Sequence, residues 1–209
     1  MDDAIASAAR ASSQRGDVPL QANEDKLGEL LLLLAGELSG DPYGGATQLN
    51  KALFFAEFGH MRSTGRPITG VAYQRLPHGP APRRLRPIRD RLVASGAAEL
   101  VSEGVHSFER QRLRPLRPAR QDLFSDAELA SVHRALATVS GRTAAEVSAL
   151  SHEHLGWQLV GEGEDIPYVT ALLAPPPGVA SPRSATGRPS SRTSTPNACI
   201  GRHESMDGH

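Results

Sequence analysis

The sequence contains few of the residues that several common functional classes require. It has a single cysteine, Cys199, so neither an intrachain disulfide nor a thiolate metal cluster is available, and a reducing, cytoplasmic setting is expected. The leucine-rich run at residues 30–35 is far shorter than the roughly 20 apolar residues that cross a bilayer. The N-terminus also lacks a cationic start that leads into a long apolar stretch. We therefore expect neither secretion nor membrane association.

Positive and negative charges balance over the 209 residues but not along them. Residues 83–120 hold ten arginines and four acidic residues, a local excess of six positive charges. Lysine occurs only as Lys26 and Lys51, so nearly all positive charge is guanidinium, whose planar fork suits carboxylates and phosphates. Charge runs are usually solvated faces. If the helix and the hairpin predicted here pack together, however, their arginines form one surface for an acidic protein patch or for phosphates.

One ordered domain is predicted between two disordered segments. Residues 1–24 are polar and lack a sustained apolar period, which predicts a disordered leader. Residues 174–209 are rich in Pro, Ser and Arg and offer too little apolar surface to offset the entropy of ordering. The periodic apolar positions lie in residues 25–173, which we expect to form the domain.

Apolar spacing predicts two helices at the start of this domain. Leucines at i, i+3, i+4, i+7 and i+11 from Leu27 predict a buried stripe on a helix capped by Asp25 and ended by Gly40. Residues 47–63 predict a central helix with apolar side chains on more than one face. On that helix, Lys51 is expected to cover apolar surface with its stem while its ammonium reaches water or a partner.

The end of the central helix carries two further predictions. His60 lies on the apolar side, where a histidine is more often a satisfied core residue than a ligand. Gly65 stands where a helix favours a left-handed residue, and Pro67 prevents the helix from continuing.

The middle of the domain mixes strands with a short helix. Residues 70–76 predict a strand, and residues 80–95 a helical region that either begins at Pro87 or is kinked there. Residues 101–114 predict a β-hairpin. The fold class is therefore α+β and mostly helical, with five or six helices and a short hairpin in an order that resembles a winged helix.

Two capping boxes predict the later helices. Ser125 with Glu128 and Thr143 with Glu146 each place a hydroxyl three residues before a glutamate. Residues 151–158 are then expected to form a turn or short helix that brings Trp157 to the core.

Catalytic and metal-binding interpretations find little support. Ser151 and His152 are sequence neighbours, which rarely present nucleophile and base to each other, and no nucleophile elbow occurs. Ser151 is interpreted as a helix cap. His152 and His154 are two positions apart, which directs helical side chains away from each other. The glycines of residues 40–45 lack the lysine and hydroxyl of a phosphate loop. We expect no enzyme activity, no cofactor and no metal.

Two separated blocks of residues carry a family resemblance. The first comprises Leu49, Lys51, Phe54 and Phe55, then Gly65, Arg66 and Pro67, then His78, Gly79 and Pro80. The second comprises Leu150, Ser151, His152, Glu153 and Trp157, then Ile166, Pro167 and Tyr168. In this order, over residues 25–173, the chain resembles the Panacea domain, the SocA-like family of bacterial antitoxins and proteolytic adaptors.

This resemblance implies a protein that neutralises a cognate toxin by direct contact or delivers it to a protease. The implied partners are a toxin encoded by an adjacent gene and a Clp-type protease. The expected structural positions are Gly65, Pro67, Gly79, Pro80, Ser151, His152 and Trp157. The expected partner-binding positions are Lys51, Tyr73, His78, Arg83, Arg84, Arg86, Arg110 and Arg112.

The alternative is a winged-helix DNA-binding transcriptional regulator that uses the hairpin as its wing. Few aromatic residues lie near the arginines to stack on bases, so nucleic acid is the weaker partner. A hydrolase or metalloenzyme is supported only by Ser151, His152 and His154.

Overall fold

The computed structural model describes residues 21–105 and 108–173. The helices are α1 (Glu24–Glu37), α2 (Ala46–Thr64), α3 (Leu85–Ala94), α4 (Asp126–Val139), α5 (Ala144–His152) and α6 (Leu155–Leu159). The strands are β1 (Tyr73–Gln74), β2 (Ala81–Pro82), β3 (Ala98–Val105) and β4 (Phe108–Pro115), and 3-10 turns cover Gln121–Leu123 and Tyr168–Leu172. The prediction of a mostly helical α+β fold is confirmed. Residues 1–20, the predicted tail and Cys199 lie outside the described residues.

Helix α1 is buried on nearly every side. The predicted leucine stripe is buried, and so are Leu32 and Leu33, which the stripe left out. The reason is that α1 contacts α2, α3 and β4. The predicted cap was wrong: the side chain of Asn23, not Asp25, accepts a hydrogen bond from the backbone N–H of Lys26 at 2.9 Å. The helix begins at Glu24 and ends at Glu37, before the predicted end at Gly40.

Helix α2 is the centre of the fold, as predicted. It contacts α1, α4, α5 and the second 3-10 turn. Its left-handed end at Gly65, with φ of 76°, is confirmed, and the N–H of Gly65 donates to the carbonyl of Met61. His60 is buried and its Nδ1 lies 3.0 Å from the hydroxyl of Ser131, so the core interpretation of this histidine is confirmed.

The region after α2 differs from its prediction. The predicted strand shrinks to β1, which pairs antiparallel with β2, so Ala81 and Pro82 are extended rather than helical. Helix α3 begins at Leu85, and Pro87 is its third residue. Because the first four N–H groups of a helix have no intrahelical acceptor, a proline at this position sacrifices no hydrogen bond. Pro87 therefore neither starts the helix nor breaks its hydrogen-bond ladder.

The hairpin and both capping boxes are confirmed. Strands β3 and β4 pair antiparallel, with Val101 opposite Arg112. In each box the hydroxyl accepts from the N–H of the glutamate, and the glutamate accepts from the N–H of the cap. None of the helices in the described part of the chain combines the length and the apolar character of a membrane span.

A buried carboxylate that the sequence analysis missed holds the turn after α2. Glu57 is fully buried and accepts hydrogen bonds from the N–H of Ile68 at 2.8 Å and of Thr69 at 3.0 Å, and from the hydroxyl of Thr69. Burial raises the pKa of Glu57, while these hydrogen bonds act in the opposite direction. The carboxylate thus satisfies two buried backbone donors in a turn that makes no strand ladder.

We expect Glu57→Ala to lower the free energy of unfolding by about 3 kcal/mol or more, because buried donors left without an acceptor cost about 1–3 kcal/mol each. Glu57→Gln should lose less, since its amide oxygen still accepts. Urea unfolding measures both. The matched control is Glu37→Ala on the exposed end of α1, expected within about 0.5 kcal/mol of the parent. Equal stability of Glu57→Ala and the control would contradict the proposed anchoring role.

Candidate partner-binding site

The turn between β1 and β2 lies directly over α2 and brings the two sequence blocks together. At its centre Gly79 has φ of 102°, a conformation that favours glycine. A Cβ atom built on Gly79 would lie 2.6 Å from Lys51 Nζ and would also collide with the hydroxyl of Ser151. The closing element packs nearby, since Ile166 N–H donates to the carbonyl of Tyr73 at 2.8 Å. Residues far apart in sequence therefore meet at this turn.

Lys51 is the unusual group of this site. Its side chain is 1% exposed, and Nζ donates to the carbonyl of Pro80 at 3.3 Å. The same carbonyl accepts from the side-chain amide of Asn50 at 3.2 Å. Burial lowers the pKa of Lys51 to about 8. The expectation that the ammonium reaches water was wrong, because the Gly79 turn covers it.

Beside the turn, three side chains form a stack. The rings of His152 and Trp157 lie 4.0 Å apart and 11° from parallel, and the Arg75 guanidinium lies 4.2 Å from the centre of the tryptophan ring. At such distances both groups cannot share one face, so they lie on opposite faces of Trp157. The indole N–H donates to the carbonyl of Leu76 at 3.2 Å. The expectation of a core tryptophan is thus corrected: Trp157 is partly buried at the edge of the core.

Two of the residues that suggested a hydrolase or a metal site, Ser151 and His154, have structural surroundings. Ser151 is fully buried in the last turn of α5 and donates to the carbonyl of Ser148 at 2.7 Å, so the interpretation as a helix cap was wrong. His154 caps α6, where its Nδ1 accepts from Gly156 N–H at 3.1 Å. Burial lowers the pKa of His154 to about 4. No group of three or more His, Cys, Asp or Glu side chains is placed to hold a metal within the described ranges.

The predicted arginine surface is largely neutralised by acidic residues of the same chain. Arg84 pairs with Glu24 at 2.8 Å, and Arg83 pairs with Asp165. Arg86 is exposed, and the described part of the chain offers it neither an ion pair nor a hydrogen bond.

The two hairpin arginines have a structural role. Arg110 and Arg112 both pair with Glu103, at 3.0 and 3.2 Å. Arg112 also donates to the carbonyls of Leu38 and Asp41, which fixes the loop between α1 and α2. Their guanidinium groups are therefore engaged with the chain itself rather than free for phosphates.

The remaining two expected partner-binding residues, Tyr73 and His78, differ in their exposure to solvent. Tyr73 is fully buried, with its ring packed edge-on against Phe58 at 5.4 Å, so it offers no surface in this conformation. His78 is exposed at the tip of the turn. Arg75 and Asn50 were missed, because no motif or period marks a residue whose partners lie far away along the chain.

Comparison with known proteins agrees with this arrangement. Residues 49–158 match the family described as Antitoxin SocA-like, Panacea domain, a match over just more than half of the chain. The chain therefore belongs to the SocA-like Panacea domain family, as its residues suggested. This membership supports an antitoxin-type role with a protein partner and suggests a protein that is not catalytic. No curated protein and no solved structure matches the chain.

Two glycines with positive φ provide a matched test of the turn. Gly79→Ala should destabilise the domain more than Gly65→Ala, because a methyl group at Gly65 meets nothing within 4 Å, whereas at Gly79 it collides with Lys51 and Ser151. The conformational cost is shared, about 1–2 kcal/mol, and overpacking adds about 1–3 kcal/mol at Gly79 alone. Chemical unfolding of both variants gives the difference. Equal losses would mean that the turn is not packed on Lys51.

The buried ammonium predicts a rise of stability with pH. Above about pH 8 the native protein releases the Lys51 proton, while the unfolded chain holds it up to its ordinary pKa of 10.5. Since the unfolded state then binds more protons, the free energy of unfolding should rise by about 2 kcal/mol between pH 8 and pH 10. Lys51→Met should lack this rise. A flat profile in the parent protein would show that the ammonium is solvated.

Proposed function

We propose that this protein is an antitoxin that binds a cognate toxin protein and thereby prevents its action. The observation that carries the proposal is the convergence of the family's residues on one site, where the Gly79 turn covers Lys51 and packs against Ser151. Neutralisation proceeds either by direct contact or by delivery of the toxin to a Clp-type protease. The toxin is expected from an adjacent gene.

A protein partner accounts for the surface better than DNA does. Binding to DNA rests on arginines and lysines that are free to neutralise phosphates. Here Arg83, Arg84, Arg110 and Arg112 are paired with carboxylates of the same chain, which leaves Arg86 and His78 as the members of the predicted set that are exposed and have no ion pair among the described residues. These pairs would have to break before a phosphate could bind, and no observation favours the regulator alternative.

The proposed mode of action is binding without catalysis. A nucleophile must be accessible to its substrate and lie within hydrogen-bond reach of a base. The hydroxyl of Ser151 is buried and donates to a carbonyl of its own helix, while the His152 ring is stacked on Trp157. These contacts support structural rather than catalytic roles for both residues.

Growth rescue tests the proposal. The adjacent gene product, induced alone, should stop growth, and co-expression of the full chain should restore it. Ser151→Ala, which removes the candidate nucleophile but keeps the helix, should rescue as well as the parent. Loss of rescue by a Ser151→Ala protein with an unchanged melting curve would contradict the proposal of binding without catalysis.

The two routes of neutralisation predict different half-lives of the toxin in the cell. Delivery predicts that the antitoxin shortens the half-life of the toxin and that rescue fails in a host without the Clp protease. Direct contact predicts an unchanged half-life and rescue in both hosts. Failure of rescue in a protease-competent host, with both proteins present in soluble form, would refute the antitoxin proposal itself.

A further inference from the structure

A buried positive charge without a carboxylate among its hydrogen-bond partners is rare, because a charge taken out of water is costly unless it is paired. Lys51 is in this condition: the acceptor of its ammonium is one backbone carbonyl, at the long distance of 3.3 Å, although an ammonium has three donors. Another buried charge of the chain is paired with cations. Glu29, 4% exposed, accepts from Arg117 at 2.7 Å and from the N–H of Arg120 at 2.9 Å.

The side chains around Lys51 are basic rather than acidic. Arg75 and His152 flank Trp157, and His78 is exposed in the turn next to Gly79. Burial lowers the pKa of His152, and the charges of Lys51, Arg75 and His78 act in the same direction, so all three lie near the ring. The Nε2 atom of His152 is shielded from solvent and has no hydrogen-bond partner among the described residues. Two polar groups of the site are thus poorly satisfied in the free protein.

We propose that His78, His152 and Lys51 form a receptor for one carboxylate of the bound protein partner, either an acidic side chain or a chain terminus. This inference rests on the proposed function. The exposed imidazole of His78 and the His152 edge bind the carboxylate, and the ammonium beneath the turn supplies its counter-charge. Gly79 is essential because its missing side chain keeps the distance between the ammonium and the bound anion short.

The charge balance favours a carboxylate over a phosphate. One buried ammonium neutralises a single negative charge, which a carboxylate carries, whereas a phosphate near pH 7 carries more than one. The guanidinium that would suit a phosphate is occupied, since Arg75 donates to the carbonyl of Val160 at 2.6 Å and stacks on Trp157. The guanidinium of this site is therefore already engaged in contacts with its own chain.

The first test uses the isolated full chain with sodium acetate as the probe. At pH 7 the melting temperature is measured in acetate and in chloride at equal ionic strength. Acetate at three times its Kd should raise the melting temperature by about 2 °C, since binding to the native state alone stabilises it. Lys51→Met should lose this rise. Arg142→Met, which removes an exposed positive charge outside the predicted partner-binding set, should keep it.

Three results would overturn the proposal. The first is an equal effect of acetate on the parent protein and on Lys51→Met, which would reflect general salt action on protein surfaces. The second is a rise with phosphate but none with acetate, which would assign the site to phosphate. The third is a full acetate effect in His78→Ala, whose exposed side chain makes it a variant that should fold even if Lys51→Met does not.

The second test uses the toxin and separates this inference from the proposed function. Lys51→Met should bind the toxin about thirtyfold more weakly than the parent, the lower end of what loss of one buried charge partner costs at an interface. Arg142→Met, a matched control at an exposed arginine outside the predicted partner-binding set, should bind within about twofold. If the parent binds no toxin, the proposed function fails. If the parent and Lys51→Met bind equally well, the carboxylate receptor alone fails.

Discussion

Helix α2 carries two buried ionisable side chains, and each one holds a turn of irregular backbone against the helix. The carboxylate of Glu57 accepts from the N–H groups of the first turn, and the ammonium of Lys51 donates to a carbonyl of the second. Both turns lack the ladder that a larger sheet would provide, since β1 and β2 are two residues long. Hydrogen bonds between these two side chains of α2 and the backbone therefore hold the connection between α2 and α3 in place. The geometry of the candidate site depends on these bonds.

The arginine-rich segment shows how a charge pattern along the chain can mislead. Its local excess of six positive charges is matched by acidic residues from other segments, including Glu24, Glu29 and Asp165. The hydrogen bond from Arg117 holds the pKa of Glu29 down at about 2, so this pair keeps its charge over the whole physiological range. Most guanidinium groups of the segment fasten the hairpin and α3 to the rest of the domain.

Local chemistry made the reliable predictions. The capping boxes, the left-handed Gly65, the leucine stripe and the hairpin each depend on residues a few positions apart, and each is present in the structure. Pro87 was misjudged for a local reason too, because its effect depends on where the helix begins. The family resemblance could be recognised because its glycine and proline motifs consist of consecutive residues.

The sequence did not predict the burial of Lys51, the inward position of Ser151 or the anchoring by Glu57. These properties come from contacts between distant segments. The Gly79 turn, for example, covers a lysine 28 positions earlier and touches a serine 72 positions later. From the sequence alone, a lysine on a half-apolar helix is predicted to lie at the surface, because the segment that covers it is not known. Composition and period contain no information about that covering segment.

The position of the single tryptophan has a practical consequence. Trp157 is the one indole of the chain, and it lies between the Arg75 guanidinium and the His152 ring. Indole emission is quenched more strongly by a protonated imidazole than by a neutral one, and it shifts in wavelength with nearby charge. The protein therefore contains an intrinsic optical reporter at the edge of its candidate site, so events there are visible in solution without any label.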